Sequence, residues 1–181
     1  MFSVFRKKTE SEPAAAAPTP PAEPLHEVHA LHAPGTEIRF HPDLIQRFDG
    51  HHAALRKLFN AIQTEATRND FAGAVASMQA FRRVLMTHLL EENVKLYTYL
   101  RKCLVNDTGS AELVRGMKTE MGEIGTRVMQ FLNTYIASGI TATTKSAFLA
   151  DLATIGTALS DRLEREETAL YTLYMPPDAF E

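Results

Sequence analysis

The chain has a single cysteine, Cys103, and no tryptophan among its 181 residues. One thiol excludes an intrachain disulfide framework and equally a thiolate zinc cluster, since each needs several sulfurs. It also points to a reducing cytoplasmic setting. An excess of either charge is missing too: Lys and Arg total 19 against 22 Asp and Glu, a formal net charge of −3 with a pI of about 6.2. A nucleic-acid binder would carry a basic face, so none is expected. No window approaches the roughly 18 consecutive apolar residues of a membrane span. The opening Met1-Phe-Ser-Val-Phe-Arg-Lys-Lys8 sets apolar residues before basic ones. That is the reverse of a secretory signal, and a frayed terminus is the expectation. Glycine-rich phosphate loops, nucleophile elbows and a base beside Cys103 are all lacking, so the reading is not an enzyme.

What is present is an ordinary globular composition, 45% hydrophobic and 23% charged, in one domain with a tail. Residues 1–35 are rich in Pro and Ala, with Pro13-Ala-Ala-Ala-Ala-Pro18 and Pro20-Pro21. Such a stretch buries too little apolar surface to offset its ordering entropy and reads as a disordered tail. His26, His29 and His32 recur in it every third residue and read as solvated linker positions.

Residues 36–177 read as helix throughout. Pro42 suits a first helical position. Leu44, Phe48, His52, Leu55, Phe59 and Ile62 then repeat at steps of three and four, marking one buried face. Asp70 can cap a second helix, with Phe71, Val75, Met78, Phe81, Leu85, His88, Glu92, Leu96 and Tyr99 in register. Asn106-Asp107-Thr108-Gly109-Ser110 breaks it. A third helix aligns Leu113, Met117, Met121, Ile124, Val128, Phe131 and Tyr135. After Gly139 a fourth aligns Phe148, Leu152, Ile155, Leu159, Arg162, Glu166, Leu170 and Leu173, and Pro176-Pro177 stops it. Four such helices with short connections predict an all-α, antiparallel up-down-up-down four-helix bundle.

The anomaly is which polar residues fall on these apolar faces. The first helix offers His52, with His51 at its edge. The second offers His88 and Glu92, and the fourth Arg162 and Glu166 with Glu167 adjacent. Buried ionised groups are costly unless they are paired or bind metal. Residues four apart on a helix converge, and histidine with carboxylate from facing helices builds iron, manganese or zinc sites. In an antiparallel bundle, a position early in the first helix meets positions late in the second and fourth, so these residues are expected to cluster. Glu120 lies near the stripe, and Glu123 reads as solvated.

Over about residues 36–175 the chain resembles the hemerythrin-like (HHE cation-binding) family. The resemblance rests on His51-His-Ala-Ala-Leu55, on His88-Leu-Leu-Glu-Glu-Asn-Val-Lys-Leu-Tyr97, and on Arg162-Leu-Glu-Arg-Glu-Glu-Thr-Ala-Leu-Tyr171. It implies metal ligands at His52, His88, Glu92 and one of Glu166 or Glu167, with His51 as an alternative. The resemblance implies that the family's complete di-iron site also uses two histidines from the third helix and one from the fourth; the matching positions of this chain hold Met117, Met121 and Arg162 instead. Thioethers are poor ligands for iron among carboxylates, and arginine stays protonated. A complete di-iron centre is therefore not expected. Either no metal or a single ion remains, iron first, with zinc or manganese as alternatives. Arg162 is expected to pair with Glu92 or Glu166, or else to reach out to solvent. The implied function is a non-enzymatic regulatory or sensing domain with a degenerate metal site, acting through an unknown protein partner. The alternatives are an iron-binding oxygen, redox or nitric oxide sensor or carrier, and an anti-sigma-type transcription regulator.

Overall fold

Apolar residues at steps of three and four need partners on every side, and helices supply them. The computed structural model describes residues 32–180, and its regular elements there are all helical. His26, His29 and the apolar–basic start lie outside the described residues. Helix α1 runs Leu44–Thr67 and α2 Phe71–Glu91. The latter continues through a π turn, Glu92–Leu96, into α3, Tyr97–Cys103. Helix α4 runs Thr108–Ser138 and α5 Lys145–Arg165, the last followed by a second π turn, Glu166–Leu170, and a short 3-10 turn, Tyr171–Leu173. No strand occurs among the described residues; His32 and Arg39 form one isolated bridge.

Local chemistry sets the boundaries. Helix α1 starts at Leu44, two residues after Pro42, because Leu44 N donates to His41 O in a preceding turn at 3.0 Å. The Asp70 and Asp107 carboxylates accept from Gly73 N at 2.9 Å and Ser110 N at 3.0 Å. Each satisfies an amide that the first helical turn leaves unpaired. Gly139 closes α4 with φ of 71°, a left-handed conformation that costs glycine little.

Helix α1 packs on α2 and α5, while α4 packs on α2, α3 and α5. The interior divides into two apolar clusters. One gathers Leu55, Leu85, Met121, Phe148 and Leu159; the other gathers Phe48, Leu96, Met117, Leu100 and Leu170. Each large side chain contributes roughly 1.5–3 kcal/mol on burial. Ala33 belongs to the second cluster, so packing already involves the residues just before Gly35. Along α1, α2 and α5 the chain passes from one cluster to the other through polar residues: His52, then His88 and Glu92, then Arg162 and Glu166, all 0% exposed. A fully buried polar layer therefore separates two greasy ones.

Candidate metal centre

The three helices place these side chains by register. His52 sits one turn from Phe48, and His88 and Glu92 stand one turn apart at the end of α2. Arg162 and Glu166 stand one turn apart at the end of α5. At both Glu92 and Glu166 the helix widens into a π turn. In an α-helix, residues five apart lie about 140° from each other around the axis. The wider i→i+5 turn brings them back onto one side. Tyr97 and Tyr171, each five residues beyond its glutamate, consequently enter the same layer.

His52 is held on both ring nitrogens. Its Nδ1 lies 2.7 Å from Glu167 Oε1, which also accepts from Arg56 Nη2 at 2.8 Å. Burial pushes the Glu167 carboxyl upward, but the His52 and Arg56 contacts outweigh it and hold the group below the usual carboxylate range. An ionised carboxylate only accepts, so Nδ1 carries the proton and Nε2 turns its free side toward the layer. There Nε2 lies 3.1 Å from Glu166 Oε2 and 3.1 Å from the Tyr171 hydroxyl. An imidazole nitrogen and a carboxylate oxygen this close need a proton or a cation between them, and the single Tyr171 proton serves one at most. The arrangement of a carboxylate behind a histidine is the one that orients metal-binding imidazoles.

Around Glu166 the contacts are of two kinds. Arg162 Nη2 lies 2.9 Å from Glu166 Oε1, too oblique for a hydrogen bond, and donates to the Tyr97 hydroxyl at 2.7 Å. His88 Nε2 lies 3.8 Å from Glu166 Oε2 and 4.0 Å from Glu92 Oε2, distances that no hydrogen bond spans. Both ring nitrogens of His88 and both oxygens of Glu92 are buried without a partner. Leaving such groups unmade costs about 1–3 kcal/mol each, more when charged. The Glu92 carboxyl is pushed well above its ordinary range, first by burial and then by the neighbouring Glu166 charge, with Arg162 opposing. Burial presses Glu166 upward too, but the His52, His88 and Arg162 contacts overcome it and hold this carboxyl low. The Tyr97 and Tyr171 hydroxyls are driven far upward by burial and by the glutamates, and keep their protons.

One ligand atom from each of His52, His88 and Glu166 lies within 4.8 Å of the other two. The edge of a tetrahedral site with ~2.1 Å bonds is about 3.4 Å, so small side-chain movements would close these three on one ion. His51 is half-buried and lies edge-on to the His88 ring at 5.8 Å, outside that group. On α4, Met117 and Met121 are 4% and 5% exposed and belong to the apolar clusters above and below the layer. Glu120 faces outward and pairs with Arg165 Nη2 at 2.6 Å, and Glu123 is exposed. Helix α4 thus brings no polar ligand to the layer.

The model of the hemerythrin HHE cation-binding domain matches residues 43–174. The chain belongs to that family. No curated protein and no solved structure matches it. Within this hemerythrin-type domain the structure brings together His52, His88, Glu92, Arg162, Glu166 and, at the edge, Glu167. Sequence reasoning did not single out Tyr97, Tyr171 or Arg56 for the site. Glu-x-x-x-Leu-Tyr at both Glu92 and Glu166 was the available signal for the tyrosines. Arg56, on the exposed side of α1, offered none.

Proposed function

We propose that this hemerythrin-type domain is a sensing or regulatory module, not an enzyme, that takes one transition-metal ion and reports to a protein partner. The observation that carries the reading is the set of unpartnered buried atoms on His88 and Glu92, beside His52 and Glu166 in a layer that also holds a fixed cation, Arg162. His52, His88 and Glu166 would hold the ion, with Glu92 within reach. Two nitrogens and a carboxylate suit iron(II), and also zinc or manganese. A second metal does not fit this set. Met117 and Met121 offer only thioethers where more donors would be needed, and Arg162 occupies the layer with a positive charge of its own.

A bound iron would supply a redox change or a response to a small gas molecule. The residues around it do the rest. Glu167, backed by Arg56, sets the proton and the ring orientation of His52; Arg162 balances charge at Glu166; and the two apolar clusters exclude water. With all five layer residues fully buried, no side chain is open to an ordinary substrate, which favours sensing over catalysis. Short connections at residues 68–70, 104–107 and 139–144 support an up-down-up-down course. For the partner, Met86 and Leu90 on α2 and Val94 in the π turn that follows are 55%, 64% and 59% exposed at successive turns. An apolar stripe of this kind commonly marks a protein contact.

Elemental analysis after expression in iron-rich medium tests the metal, with His88→Ala as the control. One ion per chain, lost with His88, is the expected result. Two irons per chain, or one ion retained by His88→Ala, would overturn it.

A further inference from the structure

Away from the metal layer, a cavity of about 310 Å³ opens between α3 and α4. Its floor is apolar: Leu100, Leu104 and Val114 are buried there at 0%, 4% and 6% exposure, with Ala111 beside them. At the rim stands Val105, 70% exposed, an apolar side chain that the fold itself leaves uncovered. The charged part of the wall is of one sign. Arg101, Arg115 and Lys118 line the cavity, and no acidic side chain does.

These cations are poorly spoken for. Arg115 meets Glu112 only at 3.8 Å and on the surface, where such a pair contributes little. Arg101 and Lys118 make no ion pair among the described residues. Lys118 Nζ instead sits over the Tyr97 ring, 5.7 Å from its centre. A greasy pocket ringed by unmatched positive charge is complementary to one chemistry, an apolar chain ending in an anion.

We propose that the α3–α4 cavity is a binding site for a small amphiphilic carboxylate. Its hydrocarbon chain would lie on Leu100, Leu104 and Val114, and its carboxylate would meet Lys118 and Arg101, with Arg115 nearby. Arginine receives a carboxylate in a two-point fork, and lysine acts as a point charge. Tyr97 connects the two parts of the domain: its ring walls this cavity, and its hydroxyl receives Arg162 Nη2 in the metal layer at 2.7 Å. A ligand that draws Lys118 off the ring therefore touches a residue that also positions Arg162.

The test is calorimetric titration of the full chain with decanoate below its micelle concentration, with decyltrimethylammonium as the matched cation. The expected result is one saturable decanoate site per chain, with the cation binding at least tenfold more weakly. The exposed pair Arg101→Glu and Lys118→Glu, changed together, should weaken decanoate at least tenfold while the protein stays folded, its melting temperature lowered by a few degrees at most through the lost Lys118–Tyr97 contact. Ala111→Trp, which fills the cavity instead of changing its charge, should abolish binding. Equal affinity for both amphiphiles, or no loss in the charge-reversed variant, would overturn the proposal. So would adsorption to phosphatidylglycerol vesicles in the absence of any one-to-one decanoate binding, because the cations would then serve an anionic membrane surface.

Discussion

Replacing Arg162 by alanine in chelator-treated protein should be among the most damaging single changes to this fold. The guanidinium is fully buried, 2.9 Å from Glu166 Oε1, and donates to the Tyr97 hydroxyl at 2.7 Å. Removing it leaves the buried Glu166 carboxylate beside Glu92 without its guanidinium counter-charge, and breaking a buried pair in this way costs about 3–5 kcal/mol. For a domain of this size each kcal/mol moves the melting temperature by about 2–4 °C, so a fall of roughly 6–20 °C is expected by calorimetry or circular dichroism. Because the loss arises from stranded charge, Arg162→Ala combined with Glu166→Gln should recover about half of it or more. The double-mutant cycle measures that coupling directly. Arg165→Ala supplies the internal reference, since its bridge to Glu120 is half-exposed, with side chains 48% and 37% accessible, and such pairs contribute about 0.2–1 kcal/mol. An Arg162→Ala cost no larger than that of Arg165→Ala would refute the reasoning and make the buried guanidinium energetically idle.

Two further changes probe the packing and the layer. Glu167→Gln removes the charged acceptor at His52 Nδ1, 2.7 Å away, and should weaken metal about 10–100-fold in competition with a chromophoric chelator; unchanged affinity would show that the contact does not orient the ring. At Gly156 an added Cβ would collide with the tip of the Phe59 ring. Gly156→Ala should therefore destabilise despite the helix propensity it gains, by about 1 kcal/mol once overpacking of about 1–3 is set against the gain of about 1. A melting temperature equal to or above the parent's would mean that Phe59 swings aside freely.

The polar layer was legible because His52, His88, Glu92, Arg162 and Glu166 fall on the stripes that Phe48, Leu55, Leu85 and Leu159 define, and α-helical spacing holds up to Glu92 and Glu166. Beyond those two residues it fails. Each π turn shifts the following residues around the axis, so Tyr97 and Tyr171 enter the layer. Extrapolation at 3.6 residues per turn leaves them off the face and runs on to Tyr99 and Leu173. Tyr99 is buried all the same, in the apolar cluster, but Leu173 is only half-buried. The same widening explains why a choice between Glu166 and Glu167 could not be made from spacing. Consecutive residues both reach α1, one on each nitrogen of His52. The partner of Arg162 was likewise open, since Glu92 and Glu166 lie at one level and side-chain torsions alone select between them. At Pro42 a residue permitted in a first helical turn stands instead in the turn before Leu44.

The two π turns also show what Arg162 replaces. His88, Glu92 and Tyr97 on one rod correspond at the same spacings to Arg162, Glu166 and Tyr171 on the other, and each triplet carries its glutamate at the start of a π turn. Arginine therefore stands where the matching half presents an imidazole, and the substitution changes charge as well as ligand number. With Glu92 and Glu166 both ionised against one guanidinium, the layer is one negative charge in excess. A single proton neutralises it, consistent with a Glu92 carboxyl pushed well above its ordinary range. A single divalent ion leaves it one positive charge in excess, and two divalent ions leave it three. At an effective dielectric near 20, a divalent ion ~4 Å from a guanidinium is opposed by roughly 8 kcal/mol. One ion would offset that through His52, His88 and Glu166, with Glu92 within reach; a second would face the same repulsion, plus that of the first ion, with only thioethers left to bind it. On the proposed reading, Arg162 would limit the layer to one ion, and a proton on Glu92 and that ion would compete for the same excess negative charge.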